Sequence, residues 1–417
     1  MDATQDTKPG PGSGKAAALD EERRELARLA CASVDALRPH LLRVSHEIHA
    51  HPELAFEERR ASALLCEAIS AAGLTVKRPA YGLETAFESE FGCPGGPCVA
   101  LLAEYDALPG IGHACGHNLI ATAALGAGLA LAALGTRLPG RVRLLGTPAE
   151  ERGAGKEIMA RAGAFDGVGA ALMVHPAGVD LTSMPCIAVA DVEVSYHGES
   201  AHASAMPERG INALDALVIA YQSIGALRQH IRSTERIHGI ITHGGDAPNI
   251  VPERAAGRFY VRARNAAQLA TLKQRVAGCF DAGARATGAR LDVRWCEPDY
   301  LELRPSWPLA QAYQANAEAL GRRFFPLERL PQSVAGSTDM GNVSQRVPSI
   351  HPMIAAAPPH CTIHHPEFAK WAASEMGDRA ALDGAKALAM TALDFFCDDS
   401  LRASVRAAFE RAQAAKD

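Results

Sequence analysis

The first twenty residues, MDATQDTKPGPGSGKAAALD, lack the basic-then-apolar pattern of a secretory leader. They are polar and rich in Gly, Pro and Ala, which predicts a disordered tail over residues 1–20. Long apolar runs are lacking too. The longest, Leu119 to Leu134, is mostly Ala and Gly around Leu and falls about one residue short of the usual lower limit for a spanning helix. It reads as a buried helix, and no membrane partner is expected. Charge of one sign is nowhere concentrated: 42 Lys and Arg are interspersed among 47 Asp and Glu, for a net charge of -5. That leaves no basic stripe for a polyanion, so no nucleic acid is expected either. Closely spaced cysteines are scarce. Of the ten in the chain, only Cys93 and Cys98, in FGCPGGPC, stand near each other. Cys31, Cys66, Cys279 and Cys397 fall within amphipathic helical patterns, where a free thiol behaves as a small hydrophobe. No disulfide framework is expected, and the cytoplasm is the expected compartment.

What is present suits a globular protein with two cores: 48% hydrophobic and 21% charged residues over 417 positions. From about residue 98 the pattern alternates between apolar runs and helix-like stretches: CVALLAEYD, NLIATAALGAGLALAAL, RVRLLGTP, AGKEIMARAG, AALMVHP. That rhythm predicts an α/β fold, a mostly parallel sheet with helices on both faces. After about residue 186 the order becomes strand, helix (Gly210 to about Arg232), strand, strand, helix (Ala266 to about Ala286), strand. This β-α-β-β-α-β order predicts an inserted ferredoxin-like domain. The expected division is a catalytic domain over 21–187 and 303–417 and a lid domain over 188–302, hinged near 186–190 and 297–305.

Chemistry-bearing residues gather where the apolar runs end, the place where such sheets hold ligands. Cys115 and His117 lie two apart in HACGHN, a thiol and an imidazole usable by zinc or a similar metal. Alone, this spacing also fits packing, or a cysteine nucleophile with His117 as base, for which the loop supplies no third group to orient the imidazole. Glu150 and Glu151 follow a buried run and a proline. Adjacent buried carboxylates need a compensating charge, and a cation supplies it, although an acidic first helical turn would look the same. His175 ends the third apolar run, and His364 sits in a turn with His360, His365 and three prolines. Jointly these groups point to a two-metal hydrolase.

The same stretches resemble the M20 metallopeptidase family, in its amidohydrolase branch with auxin-conjugate, hippurate and aminobenzoyl-glutamate hydrolases. The matching segments are IHAHPELAFEE (48–58), AEYDALPGIGHACGHNLI (103–120), GTPAEE (146–151), MVHP, GESAHASAMPERGINALDAL (198–217), GGDAPNIVPERA (244–255), GSTDMGNVS (336–344) and IHHPEF (363–368). They span nearly everything after residue 45, in order.

The resemblance implies two divalent ions per subunit, Zn or Mn with Co or Ni as alternatives. Cys115 would bridge them, and His117, Glu151, His175 and His364 would complete the site. Glu150 becomes the general base and later acid, and Asp106 a supporting group behind the ligands. Glu104 stands where related carboxypeptidases have a ligand His. Beside His364, His365 offers a second imidazole, and the H-x-P-x-F pattern selects His364. In the inserted domain the resemblance implies His202 as oxyanion donor, Asn249 as a hydrogen-bonding group and Arg262 as a grip on a terminal carboxylate. His202 and Asn249 often come from the neighbouring subunit of a homodimer formed through the lid. Ser337 and Thr338, in the Gly336–Asp339 loop, would line the pocket. The implied substrate is a small N-acyl amino acid or a dipeptide with a free carboxylate. A cysteine-nucleophile amidase and a non-catalytic amide-binding homologue are the rival readings.

Overall fold

The computed structural model describes residues 11–330 and 335–414, with side chains from Leu19 onward. The amino-terminal half contains α1 (Pro11–Ala50), α2 (Arg59–Ala71), β1 (Phe87–Gly92), β2 (Cys98–Ala103), α3 (His117–Ala132), β3 (Arg141–Gly146), α4 (Gly155–Arg161), β4 (Ala170–Leu172) and β5 (His175–Ala177). Then come β6 (Ala188–His197), α5 (Ala213–Leu227), β7 (Arg236–His243), β8 (Arg254–Ala263), α6 (Ala266–Thr287) and β9 (Arg290–Tyr300). The chain closes with α7 (Trp307–Ala319), α8 (Met340–Ser344), β10 (Ser349–Ile350), β11 (Met353–Ala355), α9 (Pro366–Trp371), α10 (Glu375–Cys397) and α11 (Asp399–Ala414).

Part of the expected tail, residues 1–10, lies outside the described residues. From Pro11 the backbone is helical rather than disordered. Proline is well suited to a first helical turn, and the KAAALDEERREL run behind it is built of strong helix formers.

Among the described residues the chain divides into two compact units. The first takes the chain to Met184, Arg304–Leu330 and the chain from Val343; the second takes Pro185–Leu303 and the stretch ending at Asn342. That stretch was expected with the catalytic domain. Its hydrogen bonds go elsewhere: Gly336 N–H donates to Pro185 O and Ile187 N–H to Gly336 O, both at 3.0 Å. Asn342 Oδ1 accepts from Leu301 N–H at 3.0 Å.

In the first unit a five-stranded sheet runs β1-β3-β2-β4-β10, with β1 antiparallel to β3 and the other pairs parallel. The run expected as one strand to His175 divides into β4 and β5, and β5 pairs with β11 in a separate two-stranded sheet. Pro176 and Pro352 lie at this break and donate no N–H to a ladder. Helices flank the sheet, and α3 is the central one. Its first fifteen residues, His117 to Leu131, are all buried. Small residues make that possible. A Cβ on Gly126 would stand 2.9 Å from Ala385 of α10 and 3.0 Å from Leu41 of α1, and one on Gly128 would stand 3.0 Å from Leu144 of β3. So α3 is pressed between two helices and the sheet. Asp394 of α10 joins the same layer, accepting from Asn316 of α7 at 2.7 Å and from Arg23 of α1. No helix among the described residues is long and apolar enough to cross a membrane.

The second unit is a four-stranded antiparallel sheet of order β7-β8-β6-β9. Strict alternation on β6 and β8 buries Val192, Val194, Tyr196, Phe259 and Val261 beneath α5 and α6. Helix α5 starts at Ala213 rather than Gly210 because Asn212 caps it, accepting from the N–H of Leu214 at 2.9 Å and of Asp215 at 3.1 Å. The helices cross at Gly283, where a Cβ would meet Ala216 O at 2.1 Å. Gly283→Ala should therefore force α5 and α6 apart and cost about 1–3 kcal/mol. A thermal melt of the variant reads this, and an unchanged midpoint would show that the contact is slack.

Candidate metal centre

Gly116 explains why a thiol and an imidazole converge. It caps α3 in the left-handed region at φ 77°, and a Cβ there would stand 2.6 Å from Pro176 Cγ. The loop bearing Cys115 and His117 thus lies directly on the segment bearing His175. Cys115 Sγ is 3.3 Å from His175 Nε2. A third loop joins through the backbone, with His364 N–H donating to Ala114 O at 2.9 Å. His364 is itself left-handed at φ 65°, a conformation held against its intrinsic preference. Its Nε2 lies 3.4 Å from Glu151 Oε1. His365 is differently employed: its Nδ1 accepts from Glu367 N–H at the start of α9.

Hydrogen bonds on the far side of each ring set the tautomers. His117 Nδ1 pairs with Asp106 Oδ1 at 3.1 Å, and His175 Nδ1 donates to Pro176 O at 2.8 Å. Both rings therefore carry a proton on Nδ1 and turn Nε2 toward the centre, the atom a metal-binding imidazole offers. The other oxygen of Asp106 accepts Glu151 N–H at 2.9 Å, so one carboxylate orients two candidate ligands. Around His117 Nε2 stand Glu104 at 3.5 Å, Glu151 at 3.7 Å and Glu150 at 3.9 Å.

Among the described residues, three sets have their donor atoms within 4.8 Å of one another: Cys115, His117 and His175; Cys115, Glu151 and His364; and Glu104, His117 and Glu150. The first two share Cys115. Both His117 Nε2 and Glu151 Oε1 are buried without a hydrogen-bond partner. Such orphaned atoms cost about 1–3 kcal/mol each, and a divalent cation between them satisfies both. The donors present therefore fit a pair of divalent ions.

Electrostatics agree. Burial, then the Glu151 carboxylate, pushes the Cys115 thiol well above its usual range. Burial alone would lower His117, but Cys115 and Asp106 outweigh it and raise it well above its ordinary value. Asp106, which burial alone would raise, is held low by His117. An ammonium also stands here, that of Lys156, fully buried and paired with Glu104. A cysteine nucleophile would find outside its own loop the third group that the loop lacks, since Asp106, expected behind the ligands, orients His117. Yet a thiol raised this far is a poor nucleophile without a cation beside it.

Sequence reasoning missed Lys156 and His351. Nothing local marks Lys156, whose partner lies far along the chain. His351 had a signal: SIHP repeats the His-Pro of MVHP. Its ring lies 5.4 Å from that of His175, buried, with neither nitrogen hydrogen-bonded.

The remaining candidates belong to the second unit. His202 is exposed and its Nδ1 accepts from Ala205 N–H at 3.2 Å and Ser204 N–H at 3.3 Å, which leaves Nε2 as a donor. Asn249 is exposed, and its carbonyl accepts Ala203 N–H at 3.0 Å. Arg262 is half-buried, donating to Ser337 Oγ and His238 Nε2, each at 3.2 Å. Thr338 is buried, and its hydroxyl accepts Met340 N–H at 3.1 Å.

A Cys/His/Glu cluster of this kind beyond the ends of a parallel sheet defines a metal-dependent hydrolase. Residues 100–392 match the family model described as Peptidase family M20/M25/M40, and the chain belongs to that family. Among curated relatives, the Xaa-Arg dipeptidase of Mus musculus is 40% identical, covering 96% of this chain and 95% of its own. That of Homo sapiens is 38% identical, over 93% of this chain and 92% of its own. A dinuclear metal binding peptidase of the M20 family from Bacillus subtilis shares the fold at a TM-score of 0.66 and 21% identity, over 87% of this chain and 99% of its own.

Burial, then the charge of Lys156, holds the His351 imidazole down at about 3. Between there and about 6.5 the unfolded chain binds a proton that the folded one refuses, so acid destabilises the fold across that window. In metal-free protein, His351→Phe should flatten the fall of stability on acidification by up to about 1.4 kcal/mol per pH unit. Urea melts at stepped pH read the slope, and an unaltered slope would show that His351 is protonated in the fold.

Proposed function

We propose that the protein hydrolyses the amide bond of dipeptides or small N-acyl amino acids that carry a free carboxylate, with dipeptides ending in a basic residue as the first class to assay. The observation that carries this reading is the sharing of the buried Cys115 by two donor sets, one buried with His117 and His175 and one reaching the surface at His364, the arrangement a bridging ligand needs. Relatives named as Xaa-Arg dipeptidases support the substrate class. In this reading Cys115, His117, Glu151, His175 and His364 hold two divalent ions, Zn or Mn with Co or Ni as alternatives. When bound, such ions supply a water acidic enough to ionise near neutral pH and a polarising hold on the amide carbonyl.

The chain's own residues do the rest. Glu150, buried beside His117, takes a proton from the attacking water and returns it to the leaving amine, which requires a carboxyl that works in both states. Asp106 keeps His117 in its Nδ1–H tautomer and fixes the backbone of Glu151. His202, a donor at Nε2, steadies the oxyanion. Asn249 hydrogen-bonds the substrate, and Arg262, braced by Ser337, grips its carboxylate. Ser337 and Thr338 line the pocket.

The reading extends to a homodimer through the second unit and to a cytoplasmic location. For the dimer, support comes from the edge strand β7, which exposes Ile240 at 64% and Ile241 at 43%. For the location, support comes from all ten cysteines being free thiols.

Glu150→Gln tests the central role. Metal content per chain should stay at the wild-type level while turnover on dipeptides and N-acyl amino acids falls by about a hundredfold or more. A variant that turns over near the wild-type rate would remove Glu150 as the base.

A further inference from the structure

The segment IHAHPELAFEE supplies no candidate ligand, yet it borders two of the loops that do. Glu58 is fully buried at the start of α2. Its Oε1 accepts from Phe56 N–H at 3.0 Å and from Ala149 N–H at 2.9 Å, and its Oε2 accepts from Thr85 Oγ1 at 2.9 Å. Thr85 O in turn accepts the hydroxyl of Tyr105 at 2.7 Å, and Tyr105 lies between Glu104 and Asp106. Phe56 and Ala149 are both non-glycine residues in the left-handed region, at φ 66° and 60°. Two unfavourable backbone conformations are thus held by one carboxylate oxygen. The Phe56 ring also closes over Gly153, where a Cβ would stand 2.4 Å from Phe56 Cε2. Glu53 works in parallel. Its carboxylate caps α2 through Arg60 N–H at 3.0 Å and Ala61 N–H at 2.9 Å, and its carbonyl accepts Ala107 N–H at 2.8 Å.

We propose that Glu58 is a positioning residue for the metal centre: by clamping the N–H of Ala149 it fixes the turn that aims Glu150 and Glu151. Ala149 immediately precedes those two carboxylates, so its backbone conformation sets the direction from which both side chains leave the chain. The proposal rests on the reading that Glu151 holds an ion and Glu150 moves the proton. What the clamp needs is an acceptor oxygen of the right reach rather than a charge. Burial pushes the Glu58 carboxyl up to about 7, which agrees with an oxygen valued for geometry. A glutamine carbonyl can accept from Phe56 and Ala149 while its amide faces the Thr85 hydroxyl.

The test compares Glu58→Ala and Glu58→Gln with wild type in three readouts. In metal-free protein, Glu58→Ala should speed hydrogen exchange across residues 147–153 by about tenfold or more and leave α3 and α10 unaltered. Its affinity for Zn, measured against a chelating dye, should fall by about 10- to 100-fold. On the best substrate of the panel, kcat should fall while KM holds. Glu58→Gln should stay within about threefold of wild type in all three.

Two results would overturn the proposal. One is a Glu58→Ala protein whose local exchange and Zn affinity match wild type. The other is a pair of variants that lose protection everywhere and to the same extent, the mark of a purely structural residue. If Glu58→Ala does not fold, Glu58→Asp, one carbon too short to reach Ala149, takes its place with the same expectations. A wild-type protein that binds no Zn would instead reject the metal-centre reading, which keeps the two failures apart.

Discussion

The hydrogen bond between Asp106 and His117 is the contact on which the site depends. Its carboxylate oxygen at 3.1 Å from Nδ1 fixes the imidazole's tautomer, and its second oxygen fixes the backbone of Glu151. Removing it would leave His117 free to turn and Glu151 free to drift. Around this pair the charge balance is lopsided. Glu104, Asp106, Glu150 and Glu151 gather around His117, with the Lys156 ammonium paired to Glu104. Buried carboxylates at this density are costly unless protonated or matched by positive charge. Divalent cations would remove the imbalance, and beside one the raised Cys115 thiol would ionise to a thiolate. The geometry that makes the pocket unfavourable without positive charge is the geometry that makes it a strong cation site.

The fold serves that pocket through close packing rather than through size. Helix α3 carries glycine and alanine where α1, α10 and β3 press on it, and its first residue is His117. The loop bearing the candidate ligands is therefore anchored to a helix whose first fifteen residues are all buried. Gly116 performs the same service on the other side, admitting Pro176 and hence His175 at a distance that a side chain would forbid. Left-handed Ala149 and His364 show where the backbone is held against preference, and both lie at the centre.

Much of this was legible in the sequence because the signals are local. Apolar runs ending in Asp106, Glu150 and His175 placed those side chains at strand ends, and the βαββαβ order of the second unit followed from alternation and helical spacing alone. The small-residue character of Leu119 to Leu134 read correctly as burial. What escaped depends on contacts between distant segments. Lys156 gains its meaning only from Glu104, and the stretch ending at Asn342 joins the second unit through hydrogen bonds to Pro185, Ile187 and Leu301. The separation of β4 from β5 follows from Pro352 across the ladder as much as from Pro176. The third group orienting His117 was invisible in the HACGHN loop because it lies at the end of β2.

The most direct test of the account is the divalent metal content of protein purified without chelator, paired with amide hydrolysis before chelation, after it, and after metal is restored. The account predicts about two ions per chain, with activity lost on chelation and regained on restoration. Metal-free protein that still hydrolyses amides would contradict it and make Cys115 a nucleophile rather than a ligand.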